Sequence, residues 1–400
     1  MRLIIFTAFF SIYSLLNGQV TGTNSNTNEP MNTAQNIISG NGGKITVSGY
    51  GQIDYNQQFA DSVRHNGKMD VHRLITFFGY QFGEKTFFVT EVEMEHVKEL
   101  YVEQAFVQHN INEFLNFRAG LLLIPMGIVN EYHEPTTFNG VERPNIDGKI
   151  IPTTWREMGF GFSGKFNAAS LKYQLYLVNG FLSYDGEGKL RGTDGFRKGR
   201  QKGAESIFSF PNLSSKIDYY GIKGLKLGLS GYFGKSQSTA YEGLDYNNEA
   251  AVSHADSTVV GTSMVGLDFR YKVKGFQARG QVIYANNSNV KAYNSLTGKD
   301  LGEEFLGYYI EAGYDVFRFF KKDLNLELNL FARYENYDTH HKVYSEMDQN
   351  LGFDRTDITV GAGLKLANGA VLKIDYQRFT DLDINTAERN QINAGVAVWF

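Results

Sequence analysis

Glu91, Glu93 and Glu95 stand at alternate positions in "EVEMEHVKELYVEQAFV", and Glu103 follows them. On an extended chain alternate residues share one face, so the three carboxylates point the same way. Such a row can be neutralised by cations as an ion-pair network, can set the field of a water-filled passage, or can hold calcium through its oxygens. Arg73, Arg118 and Arg156 are the cations expected opposite it. A second concentration of charge is "RGTDGFRKGRQKG", which puts Arg191, Arg197, Lys198, Arg200 and Lys202 in one stretch. A basic loop attracts anions; a solvated charge run or a patch for lipid-A phosphates are the other readings of it. The third concentration is Pro125–Trp155, which carries Glu131, His133, Glu134, Glu142, Arg143 and Asp147 between stiffening prolines at 125, 135 and 144.

Other chemistry finds little support. "GYFGKS" at Gly231–Ser236 resembles the end of a phosphate-binding loop, but the first glycine of that motif would be Leu229 and the surroundings read as a strand. The eight histidines form no H-E-x-x-H pattern, and His340 with His341 are expected in a solvated loop. Ser253, His254 and Asp256 are neighbours in a polar loop, the one grouping that could serve a hydrolytic site. The chain has no cysteine, which excludes thiol chemistry and thiolate-bound zinc. A net charge of −4 offers no basic field for nucleic acid. No cofactor and no metal is implied.

The elements that must position these residues are strands. Aromatics make up 14% of the chain, with 43 Gly against only 6 Pro, a balance suited to strands joined by Gly-rich turns. Period-2 alternation recurs: Val265, Leu267, Phe269 and Tyr271 oppose Asp268, Arg270 and Lys272, and Leu372, Ile374 and Tyr376 oppose Lys373, Asp375 and Gln377. Faces so charged do not suit the core of a sandwich, and segments of about ten residues match transmembrane β-strands. Sixteen such segments are expected, beginning near residues 44, 70, 85, 99, 114, 156, 169, 213, 224, 261, 275, 304, 323, 353, 369 and 389. Short links ("GE", "NINE", "NAA", "IKG", "KG", "ANG") alternate with long ones, as periplasmic turns alternate with extracellular loops. Phe82, Phe166, Phe317, Phe319, Phe320 and Phe400 should ring one interface, with Phe59, Tyr101, Phe181, Tyr284, Tyr337 and Phe379 at the other rim.

The fold class expected is therefore all-β, a transmembrane antiparallel barrel of about sixteen strands over residues 44–400, with Pro125–Trp155 folded inward as a constriction loop. An external cap is the alternative for that segment. Residues 1–18, with one Arg before an apolar run from Leu3 to Leu16, read as a signal peptide, and residues 19–43 as a flexible lead-in. Localisation in a Gram-negative outer membrane follows.

The stretch Glu91–Phe166 resembles the phosphate-selective porin O and P family. "EVEMEH", "VEQAFV", "FRAGLLLIPMGIVNE", "VERP" and "WREMGFGFSGKF" carry the likeness, with the Gly120, Pro125, Gly127, Glu131 spacing. Phe400 resembles the C-terminal signal read by the outer-membrane assembly machinery. The resemblance implies a trimeric barrel passing small anions such as phosphate. The inward charges that the pattern assigns are close to balance, Lys165, Arg270 and Lys373 among the cations and Asp54, Glu311 and Asp375 among the anions. The reading is passive diffusion of small hydrophilic solutes, with an anion or phosphate preference as its finer form. Arg143 and Arg156 are the expected constriction cations, partnered by Glu131 and Glu142, with Arg118 and Glu91–Glu95 also lining the pore. A non-conducting barrel serving as adhesin or secretion scaffold is the competing function, and a rim hydrolase a further one.

Overall fold

In a bilayer no water is available to backbone N–H and C=O groups, so a sheet can span it only by closing on itself. The computed structural model describes residues 32–38, 44–60, 63–320, 326–383 and 388–400; the signal peptide expected at 1–18 lies outside the described residues. The chain forms β1 (Ile45–Ala60), β2 (Lys68–Gln81), β3 (Thr86–Glu95), β4 (Glu99–Asn112), β5 (Leu115–Leu123), β6 (Arg156–Phe166), β7 (Leu171–Val178), β8 (Leu182–Tyr184) and β9 (Asn212–Ile222). It continues through β10 (Leu225–Lys235), β11 (Gln237–Ser238), β12 (Gly261–Val273), β13 (Phe276–Ser288), β14 (Glu304–Asp315), β15 (Glu327–Lys342), β16 (Asp354–Ala367), β17 (Ala370–Asp381) and β18 (Arg389–Trp399).

All but β8 and β11 form one closed antiparallel barrel of sixteen strands in sequence order. β1 and β18 complete it, with Tyr50 opposite Trp399 and Ala60 opposite Arg389. The sixteen barrel strands begin within four residues of the expected positions. The widest gap is at β15, which starts at Glu327 after a short helix, Phe317–Phe320, in the longer turn. The short link after β3 turns tightly through His96 and Val97, both at positive φ. "GYFGKS" begins inside β10, not at the mouth of a helix.

Alternation sorts the side chains as expected. Leu267 and Ile374 are each 55% exposed on the lipid face, whereas Asp268 and Asp375 are buried inside. Phe82, Phe166, Phe319, Phe320 and Phe400 are exposed near the short turns, the aromatic girdle of one interface. The opposite girdle departs from expectation. Phe59 and Tyr284 are exposed, but Phe181 and Tyr337 are buried, and Tyr101 and Phe379 line an internal cavity. They sit at strand ends because loops fold in against them.

The segment 124–155 lies within the barrel. Its backbone is held by inward residues of strands all around the wall. Lys216 on β9 donates to Gly127 O, Gln281 on β13 accepts from Ile128 N, and Arg279 on β13 donates to Thr137 O. On the far side, Lys373 on β17 donates to the carbonyls of Pro135, Phe138 and Gly140 at 2.5, 2.6 and 2.9 Å, and Asp375 accepts from Val141 N at 2.6 Å. Ile146, Ile150, Ile151 and Trp155 give the segment its own fully buried apolar side. Trp155 stacks on Phe181 at 4.5 Å, Phe181 on Phe196 at 5.0 Å, and Phe196 packs against Phe305. This aromatic chain draws the 179–211 connection inward as well. β8 pairs in parallel with β11, tying that connection to the one after β10.

Part of the lead-in also departs from expectation. Thr33–Ile38 is a helix, with Ala34 and Ile37 each 5% exposed. It packs on an apolar patch of the inner wall that includes Ile75 and Phe77 of β2 and Val89 of β3. Gly79 makes room for it: a Cβ there would stand 2.1 Å from Ile37 Cγ2. Asn32 donates to Glu131 O, Thr33 N donates to Glu134 Oε1, and Trp399 Nε1 donates to Thr33 Oγ1.

Two outcomes follow from these contacts. Gly79→Val is expected to expel the helix while leaving the barrel closed, at a cost of about 1.5–3 kcal/mol, the burial of one aliphatic side chain; limited proteolysis should then cut near Ile37 while the barrel resists. Lys373→Met leaves three loop carbonyls without their shared donor, and losing such a buried charge partner costs roughly 3–5 kcal/mol. The folded, heat-modifiable band on gels should melt at lower temperature, and single-channel current should become noisier as the loop loosens.

Candidate functional site

Between the inserted segment, the 179–211 connection and a wall made by β1–β4, the start of β6 and β15–β18 lies an open cavity of about 610 Å³. From the wall it receives Arg73, Arg156, Arg355 and Arg389, and from the loops Arg143, Lys149, Arg197, Arg200 and Lys202. Its carboxylates are Glu93, Glu95, Glu103, Glu142 and Asp147, so nine cations face five anions. Arg197, Arg200 and Lys202 also border a second cavity, of about 580 Å³, with Lys189, Arg191, Lys198 and Lys299 against Glu187 and Asp194. The two spaces share one basic wall.

The basic run is folded down, not left as a solvated stretch. Arg197 donates to Thr153 O at 2.8 Å, and Arg200 to Pro152 O and Thr154 O at 3.2 and 3.0 Å. Lys202 sits 4.6 Å from the Tyr101 ring centre, and Arg191 is bound to Asp194 within its own turn. Arg197 and Lys198 keep exposed surface, and Arg200 is half-buried. Withdrawal from bulk water, reinforced by Arg197 and Arg156, lowers the basicity of Arg200 below the usual guanidinium range. Lys202 is lowered by the same burial and by Arg200 and Arg156. Cations held together in this way are relieved by an anion among them.

The carboxylate row is brought inward as the alternation requires. Glu91 and Glu93 are buried and Glu95 borders the cavity. Glu93 faces Arg73 at 3.7 Å, and Glu103 faces Arg156 at 3.4 Å. Arg118 is not in this group. It donates to Gln108 and Tyr176 and lies over Phe106, because it sits low on β5, opposite Gln108, whereas Arg156 opens β6 at the loop end, opposite Leu123.

The expected constriction pairs are corrected. Glu131 does not meet Arg143 or Arg156; it lies under the loop, 3.7 Å from Lys172 and 3.2 Å from Lys216, and accepts from Gln174. Glu142 accepts from Asn56 at 2.9 Å. Arg143 faces the cavity, with one terminal nitrogen lacking a hydrogen-bond partner. The loop backbone turns between residues 131 and 142, so the two glutamates fall on opposite sides of it. His340 is also corrected: it is 1% exposed at the end of β15, against Asp300 O and the Asn350 amide. Ser253, His254 and Asp256 share the helix Glu249–Ser257 but are not assembled: Asp256 accepts from Tyr241 and His254 packs edge-on to Tyr184.

Sequence reasoning missed Lys149, Arg355 and Arg389 at the cavity, and the approach of His133 to Glu91 and Glu103 at 3.2 and 3.0 Å. Arg389 opens β18 and Arg355 lies near the start of β16; a cation at the loop end of a strand was the available signal.

No family model matches the chain. The solved outer membrane channel DcaP of Acinetobacter baumannii is similar with a TM-score of 0.58 and 14% identity, covering 89% of this chain and 97% of that one. The anion-selective porin from Comamonas acidovorans is similar with a TM-score of 0.55 and 13% identity, covering 89% and 100%. The trimer form of OmpT, an outer membrane protein of Vibrio cholerae, gives 0.51 and 11%, covering 90% and 100%. At these identities the likeness is one of fold: a closed sixteen-stranded barrel, here with an apolar outer belt. In sequence, an uncharacterized protein of Aquifex aeolicus (strain VF5) is 32% identical over 369 residues, 89% of this chain and 80% of that protein. The chain belongs to the same family as that Aquifex aeolicus protein, and its own fold is a closed sixteen-stranded antiparallel β-barrel.

Proposed function

We propose that this barrel is a passive channel for small hydrophilic solutes that favours anions, inorganic phosphate among them. The observation that carries the reading is the excess of nine cations over five carboxylates around the cavity. A sixteen-stranded barrel is wide enough to hold an aqueous channel, and segment 124–155 narrows it. The passage then runs past the basic wall made by Arg143, Arg197, Arg200 and Lys202. Low-dielectric walls focus that field on whatever enters. Solutes move down their gradients, sorted by size at the loop and by charge at the wall, and no covalent step is involved.

The resemblance to phosphate-selective porins and the fold shared with the Comamonas anion-selective porin support the same reading. By analogy with the porin-like fold, the working unit is a homotrimer in outer-membrane lipid, exported through the periplasm after removal of residues 1–18. The second reading, a non-conducting scaffold, is favoured by how much of the lumen the inserted segment and the helix Thr33–Ile38 occupy.

The test is the reversal potential of single channels in a planar bilayer under a KCl gradient, with and without phosphate. The expected result is a shift to the chloride side, chloride current blocked by phosphate, and weaker selectivity as salt screens the wall. Each of Arg197→Ala, Arg200→Ala and Lys202→Ala should lower the anion-to-cation ratio. A change of roughly fivefold corresponds to about 1 kcal/mol of lost attraction. A potential near zero or on the potassium side rejects anion preference and leaves a general channel. Absence of conductance moves the reading to the scaffold.

A further inference from the structure

Behind the basic wall, three side chains from distant parts of the chain converge on one point. Glu91 comes from β3, Glu103 from β4 and His133 from the inserted segment, and all three are at most 2% exposed. His133 Nε2 stands 3.2 Å from Glu91 Oε1 and 3.0 Å from Glu103 Oε2. The other ring nitrogen, Nδ1, lies 3.2 Å from Asn130 O. A carbonyl can only accept, so Nδ1 carries the proton in that contact. In the neutral ring Nε2 would then turn a lone pair toward two carboxylates. The contact is satisfied by a proton, carried on the ring or on one of the carboxyls, or by a metal ion.

The spacing and the surroundings suit an ion. Zinc with nitrogen and oxygen ligands at about 2.0–2.1 Å in a tetrahedron holds those ligands about 3.3–3.4 Å apart, close to the two distances here. Each ligand is also oriented from behind, as metal ligands are. Glu91 Oε2 accepts from Gln104 at 2.6 Å, and Glu91 Oε1 also accepts from Tyr50. Glu103 Oε1 faces Arg156, whereas Glu103 Oε2, buried and aimed into the cluster, has no fixed donor but the His133 ring.

Charge points the same way. Glu93 and Glu134 are buried beside the three ligands, and Glu134 lies within electrostatic reach of His133 and Glu91. Four carboxyl groups (Glu91, Glu93, Glu103 and Glu134) stand here against two guanidiniums (Arg73 and Arg156), so the cluster is rich in anionic oxygen donors. A divalent cation among them offsets that excess. Glu93, Glu103 and Arg156 border the cavity, which supplies the way in.

We propose that Glu91, Glu103 and His133 bind one divalent transition-metal cation of the zinc class, which fastens the inserted segment to the β3–β4 wall. An imidazole ligand and a low coordination number favour zinc over calcium, which takes six to eight oxygens. The site is independent of which solutes pass.

The full-length barrel, folded in detergent and stripped with a chelator, is dialysed against Zn²⁺ or, in parallel, Ca²⁺, and bound metal is counted by mass spectrometry. One retained zinc per chain, no retained calcium, and loss of the zinc in His133→Gln and Glu103→Gln are expected. X-ray absorption on the zinc-loaded wild-type barrel should show a nitrogen and oxygen shell near about 2.0 Å with a single imidazole. This second measurement decides the matter if either variant fails to fold. No retained zinc, zinc undiminished in folded His133→Gln, or a spectrum without imidazole overturns the proposal and leaves His133 as an imidazolium bridging two carboxylates.

Discussion

Everything in this barrel depends on the closure of β1 against β18. The two edge strands of an open sheet in lipid would each carry a row of unpaired amides and carbonyls, and each such group costs several kcal/mol where no water can reach it. Pairing from Tyr50–Trp399 to Ala60–Arg389 removes the last free edge. Once closure is required, the alternation of side chains decides the rest. Residues such as Leu267 and Ile374 must face lipid, and their neighbours Asp268 and Asp375 must face inward. A sixteen-stranded wall then encloses more space than its own side chains can fill.

The filling comes from the loops, and it is polar as well as apolar. Segment 124–155 meets the wall mainly through its backbone: three of its carbonyls converge on Lys373, and its amides find Gln281 and Asp375. Buried cations and carboxylates on the wall are thereby satisfied by main-chain dipoles as well as by one another. The arrangement divides the lumen. On one side, Lys172, Lys216, Glu131 and Asp268 neutralise each other beneath the loop. On the other, the loop arginines and lysines are gathered around open space with too few carboxylates to balance them. A lumen that is close to neutral as a whole is strongly biased in the part that stays open.

Strand positions were legible because a period of two, sustained with charged residues on one face, has few other meanings. Lys373, Asp375 and the Glu91–Glu95 row could be assigned inward from that pattern alone. What could not be read was which residues of different loops meet. Glu131 and Glu142 lie in one segment yet serve opposite compartments, since nothing local to them encodes where the backbone reverses. His133 reaches Glu91 and Glu103 only after the segment crosses the lumen, a contact without any signature in spacing. The aromatics failed for a related reason. Phe181 and Tyr337 stand at strand ends as girdle residues do, but the chain of rings from Trp155 to Phe305 turns that neighbourhood into a core. The helix Thr33–Ile38 occurs in a stretch without periodicity, and its partners are all distant in sequence.

That helix has a consequence for the order in which the molecule can be put together. Its hydrogen bonds go to Glu131 and Glu134 in the inserted segment and to Trp399 on the final strand, while its apolar side needs the wall of β2 and β3. The β2–β3 wall can form early, as an antiparallel pair close in sequence, but the full set of partners is not in place until the sheet has closed and the segment has entered it. The first described element of the chain is therefore the last to acquire its full set of contacts. Its seating amounts to a seal on a finished barrel, and a barrel stalled before closure would still carry it loose.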